Sequence, residues 1–181
     1  MTIPQRNADP SKVAAHEQTF FVTASTWGKR SILQTDPAAE LFIQTLHTHQ
    51  HQGKFRLHEF VVMPDHFHLL ITVDAGMSIE RAVQFVKGAY AFRAARELGF
   101  NAPIWQRGFS EIRVFDQASF ENQAEYIWKN PVTARLTDRA EKYPYSSASR
   151  RSLLDPPPRR LKPIYLSELC GTPRSGAAKD R

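Results

Sequence analysis

Apolar residues along the 181-residue chain change period several times, and each change predicts an element. Residues 19–27, rich in Phe, Val and Thr, read as a strand, and Gly28-Lys29-Arg30 turns the chain. Asp36-Pro37 is a helix start, with Asp as N-cap, and Leu41, Leu46 and His49 follow at helical spacing until Gly53. Residues 55–63 and 66–73 form two apolar runs broken by Pro64-Asp65, the pattern of an antiparallel hairpin. Ser78 caps a long helix that places Ile79, Val83, Val86 and Tyr90 on one face and ends at Gly99. A fourth strand is expected from Ile104-Trp105 and residues 112–115, bent at Gly108. A last helix opens at Ser119 and stops at Pro131.

The order strand, helix, strand, strand, helix, strand, helix predicts a ferredoxin-like α+β fold. Its four-stranded antiparallel sheet carries helices on one face, with a C-terminal helix holding Tyr126. The expected organisation is a flexible arm over 1–18, one domain over 19–155, and a flexible basic tail from the prolines at 156–158 onward.

Composition changes this picture little. A hydrophobic fraction of 41% supports a packed core, and a single cysteine excludes a disulfide framework. No apolar run approaches the roughly 20 residues of a membrane span, so a cytoplasmic protein is expected. The net charge of +6 invites a nucleic-acid partner. However, beyond residue 155 six bases stand against two acids, so the tail carries +4 and the first 155 residues only +2.

Two stretches carry candidate chemistry. On a strand, His66 and His68 project to one face and Phe67 to the other, so two imidazoles can meet one ion. Two polar positions on an outer sheet face would show the same pattern. On the last helix, Tyr126 and Asn130 lie four apart and share a face, beside the core positions Phe120, Ala124 and Ile127. If that face meets the histidine strand, an amide oxygen could complete a metal site and a phenol could attack a polarised phosphorus. A packed tyrosine is the ordinary alternative. His47, His49 and His51 read as a solvated helix end.

Read together, Val61-Val62-Met63-Pro64-Asp65-His66-Phe67-His68-Leu69-Leu70-Ile71 closely resembles the histidine segment of the single-tyrosine HUH transposases of bacterial insertion sequences. Trp105-Gln106-Arg107-Gly108-Phe109, Tyr126-Ile127-Trp128-Lys129-Asn130-Pro131-Val132 and Tyr143-Pro144-Tyr145-Ser146-Ser147-Ala148 resemble further signatures of their REP-associated branch. The resemblance implies a ferredoxin-like enzyme acting on single-stranded DNA beside a hairpin, as monomer or homodimer. It implies Mg²⁺ or Mn²⁺ held by His66, His68 and Asn130, and a 5′-phosphotyrosine formed on Tyr126. Asp65 and Arg135 depart from the Asn and Gly usual at those places. Lys87, Arg93, Arg96 and Arg107 are the expected phosphate contacts, and Trp105 an expected base-stacking residue. The rival from another class is a domesticated relative that binds hairpins without cutting them.

Overall fold

The computed structural model describes residues 16–158 and 161. Seven elements follow in order: β1 (Gln18–Ser25), α1 (Asp36–His51), β2 (Arg56–Met63), β3 (His66–Val73), α2 (Ile79–Leu98), β4 (Ser110–Val114) and α3 (Gln117–Thr133). The strands form one antiparallel sheet in the order β2-β3-β1-β4, so the fold is the expected ferredoxin-like α+β arrangement.

Side-chain parity divides the core in two. From β3, Phe67, Leu69 and Ile71 point to the face covered by α1 and α2, where they join Phe42, Leu46, Val83, Val86 and Tyr90. Leu70 points to the other face, with Phe21, Val61 and Met63, under Phe120, Ala124 and Ile127 of α3. Helix α3 packs against β2 and β3. His66 and His68 share the parity of Leu70, so the histidine pair lies on the α3 side.

Local signals explain most boundaries. The Ser78 hydroxyl accepts from the Arg81 N–H at the start of α2, and Gly99 closes it with φ +68°, a left-handed value that suits glycine. Three boundaries differ from the sequence reading. Ile104-Trp105 contributes only a bridge from Trp105 to Thr26, and β4 begins at Ser110. Helix α3 begins at Gln117 because the Asp116 carboxylate accepts from the Ser119 N–H and so caps it. It also continues through Pro131 to Thr133: Pro131 is buried against the domain, and its missing N–H forgoes only one bond in the final turn.

The domain also runs past residue 155. Pro158 is buried and Leu161 packs against the α3-side core, whereas Arg159, Arg160 and residues 162–181 of the expected tail lie outside the described residues. So does the arm over residues 1–15. The segment after α3 covers the outer edge of β2. Val62 donates to the Tyr145 carbonyl, Ser147 to that of Phe60, and Asp155 to that of Leu57, at 2.8–2.9 Å. Asp155 Oδ2 in turn accepts the Leu57 N–H at 2.7 Å. An edge strand that would otherwise offer unpaired amides is thereby closed.

Candidate active site

The register of the central strands sets His68 beside Thr23 and His66 beside Ser25. Thr23 Oγ1 lies 2.7 Å from His68 Nδ1, and Asp65 Oδ1 lies 2.5 Å from His66 Nδ1. Both imidazoles are thus gripped at Nδ1, and their ring centroids stand 4.8 Å apart. Lys29 Nζ sits 3.7 Å from the other Asp65 oxygen. His68 is 4% exposed, and its Nε2 is buried without a partner among the described residues. Burial, helped by His66 and Lys29, lowers its pKa to about 3, so the ring is neutral. In the tautomer whose Nδ1 donates to Thr23, Nε2 presents a bare lone pair. That is the state a metal ligand needs, with a hydrogen bond behind it to fix the ring.

Helix α3 brings the phenol to this point. Tyr126 is half exposed, its ring edge-on to His68 at 5.3 Å and to Phe21 at 5.7 Å between centroids. Asn130 follows one turn later on the same flank and is half-buried. Among the described residues no three His, Cys, Asp or Glu side chains group as a metal site. The Asn130 amide oxygen has the right chemistry for a further ligand.

The helix is held by a feature that sequence reading did not find. An irregularity in β2 between Leu57 and Glu59 turns two successive side chains, His58 and Glu59, toward α3. The Trp128 indole donates to Glu59 Oε2 at 2.7 Å, and the Ser147 hydroxyl donates to the same oxygen. The His58 ring meets Phe120 edge-on, and its Nε2 bonds to Thr72 Oγ1 at 2.8 Å. Burial raises the Glu59 pKa and lowers that of His58 to about 4. Trp128 alternates with Tyr126 along α3, so the tether on one flank fixes the nucleophile candidate on the other.

The expected DNA contacts separate. Lys87 Nζ donates to the Gln106 and Gly108 carbonyls at 2.9 and 2.7 Å, and burial lowers its pKa to about 8. Arg93 bonds to Glu97, Thr45 and Gln44, and Arg96 lies over Phe92. These three belong to α2, across the sheet from the histidines. Trp105 packs its ring near Phe42, Phe67 and Tyr90 and donates to the Lys87 carbonyl. Arg107 is placed otherwise. It is exposed and follows Gln106, whose N–H donates to the carbonyl of Ser25, the cross-strand neighbour of His66.

Comparison with known proteins gives this arrangement its family. A family model described as "Transposase IS200 like" matches residues 16–130, a span holding both histidines, Tyr126 and Asn130. The chain belongs to the IS200-like transposases. The chain is 31% identical over 99 residues to a Haemophilus influenzae protein named as a REP-associated tyrosine transposase. That match covers 49% of the chain and 56% of the relative, so the chain spans little more than half of the relative's length. Its fold is also that of a REP-associated tyrosine transposase solved bound to a REP hairpin, with a TM-score of 0.66 and 20% identity. The likeness covers 100% of this chain and 98% of that one. Among the described residues no helix is long and apolar enough to cross a membrane.

Proposed function

We propose that this transposase cuts and rejoins single-stranded DNA beside a hairpin, with Tyr126 as nucleophile and His66, His68 and Asn130 as ligands of a divalent ion. The observation that carries the reading is His68 Nε2: buried, unpartnered among the described residues, on a ring fixed from behind by Thr23 and met edge-on by the Tyr126 ring. A buried polar atom left without a partner costs about 1–3 kcal/mol, a penalty that a ligand at this point removes.

Tyr126 Oη attacks a backbone phosphorus and forms an O–P bond, and the bond from that phosphorus to the 3′-oxygen breaks. The phenol's proton passes to water and the departing oxygen takes one up. The products are a 5′-phosphotyrosine and a free 3′-hydroxyl, and reversal with another 3′-hydroxyl rejoins strands. Mg²⁺ or Mn²⁺ at the site supplies charge neutralisation for the phosphate oxygens and favours the ionised phenol. Asp65 and Thr23 hold the imidazoles, and Arg107 supplies a phosphate contact at the same end of the sheet. With only three protein ligands, the affinity for metal is weak until DNA adds its own oxygens. The solved relative bound to a REP hairpin supports a hairpin as target.

The test incubates the protein with Mn²⁺ and a hairpin oligonucleotide labelled at its 3′ end. A labelled adduct that survives denaturation is expected from the native chain and from neither Tyr126→Phe nor His66→Ala. Cleavage persisting in Tyr126→Phe removes the tyrosine from the mechanism. A hairpin bound tightly and left uncut by the native chain favours the noncatalytic reading.

A further inference from the structure

Of the three tryptophans, Trp105 and Trp128 spend their indole N–H groups on acceptors inside the domain. Trp27 does not. It is 47% exposed and makes no side-chain hydrogen bond among the described residues, yet its backbone is bonded at both N–H and carbonyl. Its N–H donates to the Ile104 carbonyl at 2.8 Å, and its carbonyl accepts from Arg30 Nε at 3.1 Å. Arg30 also donates to the Pro103 carbonyl. The preceding residue, Thr26, is fully buried; its N–H donates to the Asp65 carbonyl, and its hydroxyl lies within bonding distance of the Arg30 and Asp65 carbonyls. Gly28 and Lys29 follow with φ of +61° and +57°, and the left-handed value is unfavourable for lysine. A strained, tightly bonded turn that holds a large aromatic in solvent marks a site built to receive something.

Its position says what. Trp27 stands two residues beyond Ser25, the cross-strand neighbour of His66, on the turn whose Lys29 reaches toward Asp65. The exposed Arg107 follows Trp105, which bridges to Thr26. An exposed aromatic on the turn that also carries Lys29, at the His66 end of the sheet, fits an unpaired base with its phosphate. We propose that Trp27 is a stacking platform for an unpaired base of the single-stranded DNA next to the scissile phosphate, and that Lys29 contacts the phosphate. This rests on the reading of the histidine–tyrosine site as a DNA-cleaving centre.

The experiment measures binding in EDTA, so that chemistry plays no part. Full-length protein is titrated with a hairpin carrying a single-stranded flank and with the same hairpin made blunt, across a series of salt concentrations. Flanked DNA quenches tryptophan emission in the native chain and loses that quenching in Trp27→Ala. Trp27→Ala binds the flanked hairpin roughly 5- to 100-fold more weakly at every salt concentration, because stacking releases no counterions. It binds the blunt hairpin as the native chain does, and Trp27→Phe recovers most of the loss. Lys29→Ala instead makes the salt dependence shallower. Affinity of Trp27→Ala within twofold of native for flanked DNA, or an equal loss on blunt DNA, overturns the proposal. The quenching result is independent of adduct formation. A missing adduct with intact Trp27-dependent quenching defeats the cleavage reading alone, and an adduct without it defeats only the platform.

Discussion

The two faces of the sheet are built to different rules. Under α1 and α2, Phe42, Phe67, Tyr90 and Trp105 interlock in a closed apolar layer whose ring centroids lie 4.7–5.8 Å apart. Under α3 the core is smaller, and polar side chains enter it in rows: Thr19, Thr72 and His58 at one end, Thr23, His68 and His66 at the other. One face stabilises the domain so that the other can hold groups that stability alone would not select.

This contrast can be broken from either side. Phe42→Ala removes a fully buried ring from the closed face and should cost about 3–5 kcal/mol in denaturant unfolding, whereas Tyr126→Phe, at a half-exposed position, should move stability by less than about 0.5 kcal/mol. Comparable losses in the two variants would erase the distinction. The next effect is one of pH. His58 has a folded pKa of about 4 against an ordinary 6.5, so folding disfavours its protonated form. Its contribution is intact above about pH 6.5 and is lost as pH falls toward 4, a decline of roughly 2–3 kcal/mol by pH 4.5. Urea unfolding between pH 7.5 and 4.5 should show this decline, and His58→Gln should flatten it in part, because His68 adds a limb of the same sign. Burial of Glu59 acts in the opposite direction, so a His58→Gln chain that declines as steeply as the native chain would contradict the assignment. The smallest effect concerns the hydrogen bond behind His68. Thr23→Val keeps the shape and removes the hydroxyl, and Mn²⁺ affinity measured by electron paramagnetic resonance with DNA present should fall about 10- to 100-fold. Unchanged affinity would leave Thr23 without a part in the site.

What the sequence disclosed follows the same division. The span of β3, and the cap and stop of α2 at Ser78 and Gly99, were legible because strand parity and capping are local. The pairing of His66 with His68 on one face and the face shared by Tyr126 and Asn130 were legible for the same reason. Thr23 and Trp27 were not, since their meaning depends on which strand lies beside β3 and in what register, a relation between residues more than 40 positions apart. The irregularity at His58-Glu59 was hidden likewise, because alternation along β2 assigns those neighbours to opposite faces. The closed partners of Lys87 and Arg93 show the limit of reading charge from sequence. A basic residue looks the same whether it meets a phosphate or a carbonyl. Arg135 is a local departure with a visible cost: its φ of +58° lies where glycine is the easier residue.

The segment from Tyr143 to Asp155 gives the molecule a timetable. Strand β2 is complete by Met63, but the chain that closes its outer edge is made some 80 or more residues later, when Tyr145, Ser147 and Asp155 are added. A sheet formed without those residues would present an open hydrophobic strand edge, a template for pairing with other chains. Closure of that edge also sets Ser147 against Glu59, and through Trp128 it seats the tyrosine helix. A chain interrupted before this point lacks the Ser147–Glu59–Trp128 contact that seats α3 beside the histidine strand, so assembly of the proposed site waits on this segment.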